Sequence, residues 1–397
     1  MKLLHIIGSM DAKTGGPCQM IRNFAPAFVA QGNSLDVLCL DVPDAKDTAT
    51  NPFRIHALGQ GRGPWNYHPG LLPWLKKHLA EYDVAVLNGL WQFQGYALWK
   101  ASQSPGAPPY FIFPHGMLDP WFQKLSVRPV KALRNWVYWK TIQHRIVNQS
   151  AGLLFTCEEE QRLAREPFRP YRPKKETVVG LGVPEPPEFE EAMTNAFEEK
   201  CPGITGRRYF LFMGRIHPKK GIDLLINAYA DLCRSAATAG RLMPRLVIAG
   251  PEWDSEYGQE MRKRAAQLCP PQSVYWPGLL SGNAKWGALY GCEAFVLISH
   301  QENFGIAVVE ALACGKPVLI SSQINIWREI QEDRAGLVRD DTPPGAGELF
   351  RQWQSLSPED LTVLQNSAKA CYRNRFGILP ANQRFLAAVN GTGAERP

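Results

Sequence analysis

The chain has 397 residues, 45% hydrophobic, 20% charged and 11% aromatic, and its 44 Lys and Arg against 37 Asp and Glu leave a formal charge of +7. This is the balance of an ordinary globular protein long enough for two full cores, and it excludes a disordered or fibrous chain. No apolar run approaches the roughly 18–20 residues that span a bilayer, and MKLLHIIGSM turns polar too early for a secretory leader, so Met1 is the expected mature N-terminus.

KLLHII reads as a first strand, followed by a loop through Gly8 to Gly16 and a helix opened by Pro17, with Ile21, Phe24 and Phe28 at helical spacing. DVLCL, FRIHAL, VAVLNG and PYFIFPHG continue the theme of short strands with helical segments between, a doubly wound α/β pattern. Asn88 and Trp91 follow VAVLNG, and His115 follows PYFIFP. All three stand where strand ends face a crevice, although a histidine there is as often a satisfied core or capping group. From Pro120 to Cys157 there are six basic residues and no acidic one. A helix is expected between Arg128 and Arg145, with Val130, Leu133 and Val137 on one stripe and Lys131, Arg134, Tyr138 and Arg145 on another. Trp136 and Trp139 lie between the stripes. Such a helix is either a solvated basic face packed on its own domain or a peripheral contact with anionic lipid.

The run Gly180-Leu181-Gly182-Val183-Pro184 and the following EPPEFEE shift the composition toward proline and acid, which marks an interdomain linker. The expected division is a first domain over 1–184, a linker over 185–205 and a second domain over 206–375. In the second, YFLFMG, RLVIAG, VYWPG, AFVLIS and PVLIS are expected strands, with a short helix around Lys285 to Tyr290. Two Rossmann-like sheets in tandem follow, with strand ends facing each other across a cleft.

Two segments of the second half carry chemistry. YFLFMG ends in Gly214, then come Arg215-Ile216-His217-Pro218-Lys219-Lys220-Gly221 and a helix beginning IDLLINAYADL. Cations between a strand end and a helix start lie where open α/β sheets bind ligands. Arg215 offers a planar fork and Lys220 a point charge, a combination suited to a diphosphate. Further on, HQENFGIAVVEALACGKPVLI puts Glu302 in a loop and Glu310 in a helix whose other residues from Ile306 to Cys314 are apolar. A lone carboxylate on such a helix needs donors, either a neighbouring cation or amide, or a ligand diol such as a ribose. Asn303, Phe304 and Gly305 open that helix. Its first-turn N–H groups suit a phosphate or a polar sugar, and Gly305 permits close approach.

Other signals are weaker or negative. Nine dispersed cysteines without Cys-x-x-Cys spacing read as reduced thiols of a cytoplasmic protein. No zinc-protease histidine spacing or Asp-x-Asp pair appears, so no metal is expected. GLGVPE and GQGRG lack the dinucleotide-binding glycine spacing and are turns. No recognition module nominates nucleic acid as a partner.

Gly214-Arg215, a short gap and Lys220-Gly221, followed about eighty residues later by two glutamates in ENFGIAVVEALACGKPV, resemble the retaining glycosyltransferases of GT-B fold in family 4. The similarity covers most of the chain. It includes the Gly15-Gly16 pair and His115, and it fades between the domains and at the C-terminus. The resemblance implies metal-independent, retaining transfer of a hexose from a nucleotide-diphosphate sugar to a hydroxyl of a glycan or lipid-linked glycan, with no cofactor besides the donor. It assigns Arg215 and Lys220 to the departing diphosphate, Glu302 to hydroxyls of the donor sugar and Glu310 to the ribose. His115 would stand near the reacting sugar, and Gly16 would let amides meet the diphosphate from the opposite wall. The loop Trp276 to Leu280, including Leu279, would seat the base by backbone contacts. The last helix, within 376–397, would pack back on the first domain, leaving GAERP as a loose tail. FPHGMLDPW resembles members that build surface polysaccharide, a setting at the inner face of the membrane. On the same architecture a sugar phosphorylase, a nucleotide-sugar epimerase or a catalytically silent sugar-nucleotide-binding scaffold are the alternatives. No residues are nominated for an epimerase's proton abstraction, and intact Arg215, Lys220, Glu302 and Glu310 speak against the scaffold.

Overall fold

The computed structural model describes residues 1–11, 16–43, 52–123, 129–238, 240 and 242–391. Gly15, Arg128 and the GAERP tail lie outside the described residues. The chain forms two compact units, Met1–Pro184 with the segment from Ile378 onward, and Glu185–Gly377.

The first unit is built on seven strands, β1 Lys2–Ile6, β2 Ser34–Cys39, β3 Arg54–Ala57, β4 Val84–Asn88, β5 Tyr110–Phe113, β6 Gly152–Phe155 and β7 Glu176–Val178. They lie in the order β3-β2-β1-β4-β5-β6-β7, every neighbouring pair parallel. Helices cover both faces of such a sheet, so its central strands are apolar throughout rather than alternating. Leu3, Leu4 and Ile6 in β1 and Phe111 and Ile112 in β5 are fully buried. The helix Gly16–Ala30 turns Ile21, Phe24 and Phe28 inward. Phe24 then meets Phe385 of the last helix, Ile378–Asn390, with ring centroids 4.9 Å apart. That helix also reaches the turn after β7. Gly182 has φ +72°, and a Cβ there would stand 2.7 Å from Ile378 Cδ1, while Arg384 Nε donates to Val179 O at 3.1 Å. The helix does not start at Phe376 as expected. Tyr372–Phe376 form a π turn, and Gly377 is extended and breaks the run.

The second unit has β8 Tyr209–Met213, β9 Arg245–Ala249, β10 Val274–Gly278, β11 Ala294–Leu297, β12 Val318–Ser321 and β13 Gly336–Arg339, parallel throughout in the order β10-β9-β8-β11-β12-β13. The expected linker over 185–205 needs correction, because Glu191–Lys200 is a helix of this unit with Met193 and Phe197 buried. The helix Gly282–Gly291 approaches it so closely that a Cβ on Gly287 would stand 2.0 Å from Met193 O. The proline-rich composition ends before this helix, and the apolar spacing of Met193 and Phe197 is a helical signal.

Candidate functional site

In the second sheet the strand order reverses between β8 and β11, and an open α/β sheet leaves a crevice at the carboxyl ends of the strands flanking such a point. Beyond β8 the chain runs from Arg215 into a single 3₁₀ turn, Pro218–Lys220, opened by His217, whose Nδ1 accepts from Lys219 N–H at 3.1 Å. Gly221 closes the turn at φ +62°. A Cβ there would stand 1.9 Å from Ile298 O, so only glycine lets this loop lie on the end of β11. His300 N–H donates to Lys219 O at 2.9 Å. Together these contacts hold Lys220 beside Glu302, and the ammonium and carboxylate form an ion pair with 18% and 22% of the side chains exposed. Glu302 is held by its own backbone, which donates to Gln323 O at 2.9 Å and accepts from Asn325 N–H at 3.0 Å. Arg215 is different. Its side chain is exposed and lies 3.9 Å from that of Glu252, a contact of small energetic consequence.

Glu310, in the helix Ile306–Ala313, has a carboxylate oxygen 2.6 Å from Lys285 Nζ, with both side chains largely covered. Of the two donor sources open to it, a neighbouring cation is therefore present, and Lys285 was not among the expected site residues. Gly305 opens the helix at φ 77° and ψ 65° without a side-chain cap, and Val308 N–H donates back to Gly305 O at 2.9 Å, so the first-turn amides left for a ligand are those of Ile306 and Ala307. Asn303 Oδ1 accepts from Asn325 Nδ2 at 3.5 Å. Phe304 offers only its backbone, because its ring is buried edge-on against Phe376 with centroids 5.7 Å apart. Leu279, just past β10, is exposed and follows Gly278 in the left-handed region at φ +74°. Among the described residues no group of three or more His, Cys, Asp or Glu is placed to hold a metal ion.

The first sheet reverses between β1 and β4. Asn88 ends β4 and His115 follows β5, with Asn88 Oδ1 3.1 Å from His115 Nε2 and Asn88 Nδ2 2.9 Å from His5 Nδ1. Ile6 O and Val86 O, each 3.4 Å from Asn88 Nδ2, can only accept, which fixes the amide orientation. Hence His5 Nδ1 accepts, His115 Nε2 carries its proton and donates to Asn88, and His115 Nδ1 is an acceptor. Burial pushes the pKa of both histidines down to about 3, so each is neutral near pH 7. His5 Nε2 and both amide atoms of Gln94 are buried with no partner among the described residues. The turn after His115 is tied by Glu160, which accepts from Gly116 N–H at 2.5 Å and from Thr156 N–H and Oγ at 2.8 and 2.6 Å. His115 and Trp91 both have left-handed backbones, at φ 50° and 72°, a strain that clusters at ligand sites. Sequence reading missed His5, Glu160 and Lys285. Only His5 left a signal, a polar residue inside an apolar strand.

Gly16 is exposed, with nothing within 4 Å of a Cβ built on it, so no contact among the described residues requires glycine there. The basic helix is interrupted. Pro129–Tyr138 is followed by a π turn, Trp139–Gln143, and a second helix, His144–Gln149. Trp139 is not interfacial, since it is fully buried and stacks on Phe168 at 4.8 Å. It continues the buried face of Ala132 and Asn135 at helical spacing. Val130, Leu133, Trp136 and Val137 are exposed, beside Lys131, Arg134 and Lys140.

Two family models match the chain, a glycosyl transferase 4-like domain over residues 15–182 and glycosyl transferases group 1 over 195–357. A D-inositol 3-phosphate glycosyltransferase from Jonesia denitrificans is 31% identical over 211 residues, 51% of this chain and 48% of that protein. A second, from Frankia alni, is 33% identical over 131 residues, 32% of each chain. The chain thus spans less than half the length of these relatives. An uncharacterized glycosyltransferase from Methanocaldococcus jannaschii is 29% identical over 344 residues, 81% of this chain and 80% of that one. Among solved structures, HepE of Anabaena in complex with UDP and glucose superposes with a TM-score of 0.74 at 17% identity, over 98% of this chain and 100% of that chain. A glycosyltransferase from Rickettsia africae gives 0.77 at 14% identity, covering 100% and 99%. At such identities these structures establish the shared fold.

Proposed function

The chain belongs to the family 4 glycosyltransferases of GT-B fold, and from that premise we propose that it moves a hexose, with retention and without a metal, from a nucleotide-diphosphate sugar to a hydroxyl of a glycan or lipid-linked glycan. The observation that carries this reading is the Lys220–Glu302 pair between the ends of β8 and β11, where a cation and a carboxylate meet at the switch point of the sheet.

In this reading Lys220 neutralises the charge that builds on the departing diphosphate, and Arg215, exposed and loosely paired, swings onto it as a bidentate fork. Glu302, fixed by its backbone bonds, accepts hydrogen bonds from donor-sugar hydroxyls rather than attacking the anomeric carbon. The acceptor enters on the face the diphosphate leaves, and a phosphate oxygen takes its proton. Glu310 accepts from the ribose hydroxyls while Lys285 keeps it ionised. His115, neutral, accepts a sugar hydroxyl at Nδ1. The apolar and basic surface of the helix Pro129–Tyr138 supports work at the inner face of a membrane, in the making of surface polysaccharide.

The test is release of nucleoside diphosphate from a panel of nucleotide sugars with glycan acceptors, beginning with UDP-glucose because HepE is known in complex with it. Acceptor-dependent release with the product's anomeric configuration retained is expected. No release with any donor, or a glycosyl adduct trapped on Glu302, would end the reading.

A further inference from the structure

Two adjoining pockets of the first unit are not accounted for by the donor site. One, of about 370 Å³, is lined by Asn88, His115, Lys131 and Arg134 among others. The other, also about 370 Å³, is lined by Trp65, Trp91, Tyr138 and Ile142 with Arg134 and Asn135. They share Pro64, Trp91, Arg134 and Asn135, so they form one continuous depression.

Its chemistry changes along its length. At the His115 end the walls are polar, and His115 brings an acceptor nitrogen. In the middle, Arg134 is exposed and makes no hydrogen bond or ion pair with the described residues, and none of the described residues lining either pocket is acidic. At the far end the walls are carbon. Trp65 Nε1 donates to Tyr138 Oη at 2.9 Å, so the indole N–H is satisfied within the wall. The walls are built rather than incidental. Trp91 is held in a left-handed backbone with its N–H donating to Gln143 Oε1 at 3.2 Å, its ring 5.3 Å from Phe168, and Asn135 is buried beneath. The same helix that carries Arg134 and Tyr138 exposes Val130, Leu133 and Val137, an apolar surface that suits a chain arriving from a lipid phase.

We propose that this depression binds a phosphate-linked prenyl sugar as acceptor, with its sugar hydroxyl at His115, its phosphate at Arg134 and the first isoprene units among Trp65, Trp91, Tyr138 and Ile142. The order hydroxyl, anion, hydrocarbon along the ligand matches the order polar, cationic, aromatic along the walls. The assignment of an acceptor role rests on the transferase reading, whereas the binding itself does not.

Farnesyl phosphate, farnesol and glycerol phosphate, each added to the full chain below any micelle concentration and followed by calorimetry, separate the terms. Farnesyl phosphate is expected to bind more tightly than either fragment. Arg134→Gln should weaken it about ten- to a hundredfold, the range of a charge-assisted bond, while leaving farnesol unchanged. Ile142→Ser should weaken farnesol and farnesyl phosphate alike. Equal affinity for glycerol phosphate and farnesyl phosphate would overturn the lipid assignment, and Arg134→Gln without effect on farnesyl phosphate would overturn the phosphate subsite. Arg134 is exposed, so its variant is expected to fold even if a pocket-wall variant does not. Binding of UDP, GDP and ADP to the same preparations reads the donor site separately. If any of UDP, GDP and ADP binds and farnesyl phosphate does not, this proposal fails alone, and binding of farnesyl phosphate with none of the three nucleotides removes the transferase reading but leaves the pocket.

Discussion

The two sheets share a topology and place different chemistry at the same point of it. Each reverses its strand order once, between β1 and β4 in the first unit and between β8 and β11 in the second. At the second reversal stand an ammonium and a carboxylate, Lys220 and Glu302. At the first stand the neutral groups His5, Asn88 and His115, linked in a chain of hydrogen bonds. The contrast teaches that a parallel sheet supplies the location and the loop residues supply the ligand class. A diphosphate needs cations near it, whereas a sugar hydroxyl is recognised by neutral donors and acceptors whose tautomer is set in advance.

The strongest break of this comparison is at Lys220. Lys220→Ala is expected to lower kcat about ten- to a hundredfold or more, the loss of one charge-assisted bond in a partly closed site, with His115 and its partners untouched. Turnover near that of the parent in a diphosphate-release assay would remove Lys220 from the reaction.

A pH titration sharpens the neutral side. His5 and His115 have folded pKa values near 3 against an ordinary value of 6.5, so between these limits the unfolded chain binds more protons. Stability contributed by these groups is therefore complete above about pH 6.5 and declines as pH falls toward 3, by up to about 1.4 kcal/mol per pH unit for each histidine. Urea midpoints measured from pH 7 to 4 should fall, and His5→Gln should flatten the slope. A slope unchanged by that variant would show that His5 is not the group responsible.

The smallest expected effect tests Glu310, where the ion pair and the ligand role coexist. Lys285→Met removes the cation and leaves a largely covered carboxylate, so a modest loss of thermal stability is expected together with weaker nucleotide binding. Glu310→Gln in the Lys285→Met background should restore stability but not nucleotide affinity. If calorimetry finds affinity restored as well, Glu310 serves packing alone.

Much of this was legible in the chain itself. Most strands of both sheets were marked by short apolar runs, and the loop Arg215–Gly221 by a basic segment between a strand and a helix. The strands Gly152–Phe155, Glu176–Val178 and Gly336–Arg339 were not read, since each opens on Gly or Glu and offers at most three large apolar side chains. Trp139 was misplaced because the buried residues it follows at helical spacing, Ala132 and Asn135, are one small and one polar, so no apolar stripe marked the inner face of the helix. The stretch after Pro184 had an acidic linker composition at its start, and only the packing of Met193 and Phe197 shows where the second unit begins.

By itself the sequence determined the class of fold, the turn that carries Lys220 and the loop that carries Glu302, because strand length, glycine placement and charge are local properties of the chain. Tertiary structure alone decided that Glu310 meets Lys285 and that His5 meets Asn88. The second case shows why. Parallel pairing sets His5 of β1 opposite Val86 of β4, and this brings together side chains 83 residues apart that no local pattern connects.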